Sequence, residues 1–116
     1  MLLARDWTAP NGASLRIQEA GPFWLSDSTG APRDSGQSEL FWIKLVDPER
    51  RCAAIAITFT LGQWVVPVNA YLLYGDKEPQ ALWLCLPPSE AGERFRKTFG
   101  ASAGCGLVVQ LTGSTP

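Results

Sequence analysis

Gly100-Ala101-Ser102-Ala103-Gly104 matches the G-x-S-x-G pattern of a serine nucleophile. A working nucleophile elbow joins a strand to the helix that follows it. Here the order reads helix first, strand second. The chain also holds no histidine, the commonest general base near neutral pH. A serine hydroxyl at its ordinary pKa is a poor nucleophile without a base. A serine–lysine pair would draw on Lys44, Lys77 or Lys97, and Lys97 is better explained as a helix partner of Glu93. The glycines read as a flexible helix-to-strand connection, and Ser102 is not expected to be catalytic.

Paired carboxylates can run acid–base chemistry without histidine. The candidates Asp27, Asp34, Asp47, Glu49, Asp76 and Glu78 all fall in polar turns or loops, where nothing would raise a carboxyl pKa for acid–base work, and they read as solvated turn charges. Cys52, Cys85 and Cys105 are far apart and have no histidine to complete a zinc site. Cys52 and Cys85 sit in apolar runs and read as reduced, buried thiols. Cys105 lies between two glycines, with nothing adjacent to lower its pKa. No phosphate loop, dinucleotide fingerprint or calcium loop occurs. The expectation is a protein with no catalytic residues, no cofactor and no metal.

Ten basic residues stand against eleven acidic ones, so the basic excess of a duplex-binding protein is missing. Arg94, Arg96 and Lys97 form a local basic ridge. Glu90 precedes Arg94 by four residues and Glu93 precedes Lys97 by four, the favourable order for helix pairs. Arg96 lacks such a partner and stays a candidate contact on a solvated helix face. Five tryptophans give more information. Trp42 and Trp83 lie opposite the bulkier stripes of their segments. They either pack as a second layer or form a recognition surface.

The elements that must position these residues read as mostly strand. Ser14 to Ala20 alternates, with Leu15 and Ile17 on one face. Phe23-Trp24-Leu25 is a short apolar run. Residues 26–38 contain no large apolar side chain and read as a long polar loop, which at that length is suspected of function. Glu39 to Val46 is a strand with Phe41, Ile43 and Leu45 on one face. Cys52 to Leu61 alternates cleanly, with Ala53, Ile55, Ile57, Phe59 and Leu61 opposite a stripe of small residues. Trp64 to Tyr74 is strand-like, and Pro67 places it at an edge, a bulge or a break. Gln80 to Leu86 is a further strand. Ser89 caps a helix over 89–99, with Ala91, Phe95 and Phe99 on its apolar face and Gly100 as its stop. A last strand covers 107–112, and 113–116 is expected to fray.

Short turns at 47–51, 62–63 and 75–79 favour hairpins over crossovers. The predicted fold is one α+β domain over 1–116, mostly β. Its antiparallel meander of about five or six strands curls toward a barrel, with one helix before a final strand. The expected core joins Ile55, Ile57 and Phe59 with Phe41, Ile43 and Phe95. No apolar run reaches the ~20 residues of a membrane helix, and the first residues carry no secretory apolar region, so a cytoplasmic protein is expected.

The functional expectation is a small non-enzymatic protein that binds another protein as an inhibitor, adaptor or assembly component. Small phage or mobile-element proteins directed at a host enzyme share this size and this missing chemistry. A homo-oligomer is compatible with the sequence, and no membrane partner is expected. The alternative is a binding module for single-stranded nucleic acid or oligosaccharide that uses sheet aromatics with Arg16 and Lys44. The expected contacts are Trp24, Asp27, Arg33, Asp34 and Trp42 around the 26–38 segment, with Arg96 on the helix as the next choice.

Overall fold

Alternating apolar side chains make strands here because each strand buries one face in a shared interior. The computed structural model describes residues 3–47, 49, 51–74, 79–100 and 108–114, with backbone alone at 42, 45, 46, 79, 80 and 108–114. Eight strands and one helix appear among them. They are β1 (Asp6–Thr8), β2 (Ser14–Ile17), β3 (Pro22–Ser26), β4 (Pro32–Asp47), β5 (Cys52–Leu61), β6 (Trp64–Tyr74), β7 (Pro79–Cys85), α1 (Glu90–Phe99) and β8 (Val108–Ser114). Every strand pairs antiparallel with its neighbour in sequence. Pairing of β1 with β8 closes the sheet into a barrel.

The interior is lined from β5 by Ile55, Ile57 and Phe59 and from β6 by Val66, Val68 and Leu72. Leu82 and Leu84 add to it from β7, and Leu15, Phe23 and Leu25 from β2 and β3. Trp7 on β1 is fully buried, and its indole N–H donates to the Leu3 carbonyl at 3.1 Å. At one end of the barrel Phe95 of α1 packs between Phe23 and Phe59, with ring centres 6.1 and 5.1 Å away. Phe23 and Phe59 meet edge to face at 5.0 Å. Such pairs add stabilisation beyond their buried area. Pro87-Pro88 ends the β7 run, and Ser89 then caps α1 by accepting the Gly92 N–H. Gly100 ends α1 in the left-handed region at φ 67°, where its N–H reaches the Arg96 and Lys97 carbonyls.

Several expectations change against this structure. Eight strands replace five or six, because the entry segment at Trp7 forms β1 and the short apolar run at Phe23 is a strand of its own, β3. Residues 26–38 are a tight hairpin and not a long loop, since β4 already starts at Pro32. Residues 113 and 114 do not fray: Gly113 pairs with Trp7 and Ser114 with Asp6. Cys52 and Cys85 are half-buried free thiols on the outside of the barrel, and not core residues. Cys105 and residues 101–104 of the G-x-S-x-G run lie outside the described residues.

The largest correction concerns β4. Phe41 and Ile43 are 60% and 50% exposed, although Ile55, Ile57, Phe59 and Phe95 are buried as expected. The register explains it. Leu40 stands opposite Ile57 and Trp42 opposite Ala56, so Phe41 is an extra residue at a bulge. Ile43 faces the interior side opposite Ile55, yet the pairing of β3 with β4 runs from Pro32 only as far as Gln37. Beyond that point no described strand flanks the second edge of β4, and Ile43 stays open to solvent.

Two substitutions separate the core from this overhang. Phe59→Ala is expected to cost ~3–5 kcal/mol as a buried aromatic truncation. Phe41→Ala is expected to stay within ~0.5 kcal/mol, as exposed substitutions do. Denaturant midpoints of both variants check the assignment, and equal losses would reverse it.

Candidate functional site

Carboxylates in short hairpins often satisfy the backbone of their own turn before anything else. Asp27 does so. Its Oδ1 accepts from the Thr29 N–H at 2.9 Å, the Thr29 hydroxyl at 2.6 Å and the Ala31 N–H at 3.1 Å. Its Oδ2 accepts from Arg33 Nε at 2.8 Å. These donors favour the ionised form, and the Thr29 hydroxyl leads them in lowering the carboxyl pKa from 3.8 to about 2. Asp34, the next carboxylate, turns to the helix. Arg94 Nη2 donates to it at 2.7 Å while the guanidinium lies 5.0 Å from the Trp64 ring centre. The Asp34 contact is also what raises the Arg94 pKa.

Asp27, Arg33 and Asp34 therefore come together, in a shallow depression shared with Arg94, Lys97 and Thr98. Their charges hold the hairpin in shape and fasten it to α1. Trp24 lies apart from them on the outer face of β3, 41% exposed. Trp42 is placed by its backbone opposite Ala56, and its side chain is outside the described residues. Arg96 departs most from expectation. It is 3% exposed, donates through Nη2 to the Leu86 carbonyl at 2.8 Å, and pairs through Nη1 with Glu93. A guanidinium buried between helix and barrel positions α1 and offers no contact surface. Glu93 is thereby directed to Arg96, not to Lys97 as helix spacing suggested.

A different surface is assembled on the outer side of β4, β5 and β6. Register places Lys44, Ala54, Tyr71 and Trp83 in one row across the sheet. Glu39, Thr58 and Pro67 form a second row, and Gln37, Thr60 and Val65 a third. Tyr71 is 47% and Val65 63% exposed, and Phe41 stands at the β4 margin. Between these larger side chains, Ala54, Ala56, Thr58 and Thr60 form a floor of small groups. The small stripe on β5 was legible in the alternation; its exposed aromatic rim was not, because exposure depends on what the helix covers. Helix α1 sits instead at the end of the barrel, against Phe23, Phe59 and Trp64.

A second, more polar groove runs over β1, β2 and β3, lined by Thr8, Ser14, Arg16, Gln18, Trp24 and Ser26. Arg16 pairs there with Asp6 at 2.9 Å. Among the described residues no three carboxylate or thiol side chains converge as a metal ion requires. No described helix is long and apolar enough to cross a membrane.

Two measurements test these roles. The Asp27 carboxyl should titrate in the folded protein near pH 2 by carbon NMR. Its folded pKa is depressed, so its contribution to stability is complete above about pH 4 and is lost as pH falls toward 2. Thr29→Ala should raise that midpoint toward 3.8. Arg96→Ala should lower stability by roughly 1–3 kcal/mol, as loss of a buried hydrogen-bonding partner does. Thermal melts that leave Arg96→Ala unchanged would return Arg96 to the surface.

Comparison with protein-family models, with curated proteins and with solved structures found no match, so the functional reading rests on this surface geometry.

Proposed function

We propose that this chain is a non-catalytic protein-binding domain that holds a partner protein against the outer face of β4, β5 and β6. The observation that carries this reading is the grouping of exposed apolar side chains on one face. Phe41, Val65 and Tyr71 are 60%, 63% and 47% exposed around the small-residue floor of β5. Single exposed apolar residues are ordinary, but a group on one face marks an interaction surface. Aromatic side chains beside a shallow floor suit the anchors of an interface, with polar residues as its rim. Small floor residues let a partner helix or an inserted side chain approach the sheet closely.

The charge on this face favours protein over nucleic acid. Glu39 and Lys44 offset one another, and the whole chain carries a net charge of −1. An apolar interface of this type should bind with little dependence on salt, whereas phosphate contacts weaken steeply. An inhibitor, adaptor or assembly component acts through such a surface. A second reading is supported by the β1–β3 groove, where Trp24 offers a stacking face among hydroxyl and amide side chains. Pairing of Arg16 with Asp6 there suits a neutral oligosaccharide better than a phosphate chain.

Tyr71→Ala should weaken partner binding by more than ~1 kcal/mol if Tyr71 is an anchor. Thr58→Arg, which fills the floor, should abolish it. Both variants should melt close to the parent temperature, because both side chains lie outside the core. Affinity capture with the parent and each variant, followed by calorimetry on the captured protein, checks this. A partner retained at full affinity by both variants would move the site to the Trp24 groove or elsewhere.

A further inference from the structure

We propose that two copies of this chain pair antiparallel through the open edge of β4, about a two-fold axis between Phe41 and Trp42. An open strand edge presents unpaired backbone N–H and C=O groups, and another strand is the group that satisfies them in register. On β4 that edge begins after Ser38, whose N–H is already taken by the Gly21 carbonyl at 2.7 Å. Backbone alternation then turns the Leu40 groups outward on the same edge. Leu40 faces Ile57 and Ile43 faces Ile55, two residues apart on β5, so the bulge at Phe41 turns Ile43 to the open edge as well.

The same bulge makes the edge complementary to itself. In a regular strand, positions an odd number apart point to opposite faces, and a two-fold cannot place them opposite one another. The extra residue removes that conflict. With the axis between Phe41 and Trp42, Leu40 of one copy stands opposite Ile43 of the other, both on the interior side and both with backbone groups aimed across the junction. Glu39 stands opposite Lys44, both on the outer side, because their β5 partners are Thr58 and Ala54. The two-fold repeats each pair. Glu39 and Lys44 are exposed, and neither makes an ion pair within the described chain. Opposite charges facing across antiparallel strands stabilise the pairing. The contact also covers the apolar surface of Ile43, which is 50% exposed in one copy. An isologous contact of this kind closes at two copies, because each copy uses the same edge of β4 to pair with the other.

This pairing lies in the plane of the sheet and goes beyond the proposed use of its outer face, so the two are separable. Sedimentation equilibrium over a wide concentration range reads it. The parent chain should form a dimer and nothing larger. Glu39→Lys and Lys44→Glu, each placing like charges opposite one another at both symmetric positions, should weaken dimerisation by about tenfold or more. The double variant Glu39→Lys/Lys44→Glu should restore it. Ile43→Pro, which removes an edge donor and leaves the β5 ladder alone, should give a monomer with a parent-like circular dichroism spectrum. Tyr71→Ala should dimerise as the parent does. A parent chain monomeric at every concentration, a larger oligomer, or a dimer indifferent to the charge variants would overturn the proposal. A monomer that loses a partner protein on Ile43→Pro would assign the edge to a foreign strand and overturn it equally.

Discussion

Phe95 lodged between Phe23 and Phe59 is the contact on which the remaining geometry depends. A barrel of short strands has two open ends, and water at either end would reach the interior. Helix α1 closes one of them by inserting that ring, and its other contacts each fix it to a different part of the chain. Arg96 reaches the Leu86 carbonyl at the end of the β7 run. Arg94 reaches Asp34 on β4 and covers Trp64 on β6. Asn11, between β1 and β2, donates to the Thr98 carbonyl at 3.0 Å. The exposed Arg94–Asp34 pair contributes little by itself, whereas the buried Arg96 bond contributes more. Their value is orientation: they hold the helix where Phe95 fills the gap.

Placing the helix at the barrel's end leaves the sheet's flank without a cover. β4 has sixteen residues and β3 has five, so β3 can pair with less than half of β4. The close crossing at Gly36 marks where the partners change. A Cβ there would stand 1.9 Å from the Thr60 carbonyl oxygen, so β4 bends across β5 with no side chain between them. Gln37 then pairs with both Pro22 and Thr60. Ser38 still donates to the Gly21 carbonyl, and beyond it β5 is the one described strand that pairs with β4. β6 shows the complementary case. β7 pairs with β6 from Asn69 onward, and Pro67, which has no N–H to donate, falls in the half that no described strand flanks on that side.

The sequence reveals most where one rule acts alone. Cys52 to Leu61 alternates without interruption, and its buried face is the one its bulk predicts. Ser89 and Gly100 bound the helix because their cap chemistry is local. The reading fails where tertiary contacts override the local pattern. In 32–38 the inward positions are Asp34, Gly36 and Ser38, small or polar residues that erase the alternation of a strand. Each has a nonlocal reason: Arg94 for Asp34, the Thr60 crossing for Gly36, and the Gly21 carbonyl for the Ser38 hydroxyl. Arg96 reads as surface charge until the Leu86 carbonyl opposite it is known. Trp24 and Tyr71 are exposed on the outer face, and that exposure is set by where the helix docks, which local alternation does not reveal.

One extra residue governs the most exposed part of the molecule. Without the bulge at Phe41, Ile43 would fall in alternation with Phe41, and Leu40 would face opposite to it. Held by the Ile43–Ile55 register, an unbulged strand would turn Phe41 and Ile43 toward the barrel, as the plain alternation of 39–46 predicts; held by the Leu40–Ile57 register it would turn both outward. With the bulge, Leu40 and Ile43 share the interior side and Glu39 and Lys44 share the outer side. Phe41 is displaced to the margin, where it borders the small floor of β5. The same event that exposes an aromatic on the face brings the edge into phase with its own reverse. Bulges ordinarily protect an edge by spoiling its match to a regular strand. Here the match that survives is to a strand with the same bulge, and that selectivity follows from backbone parity alone.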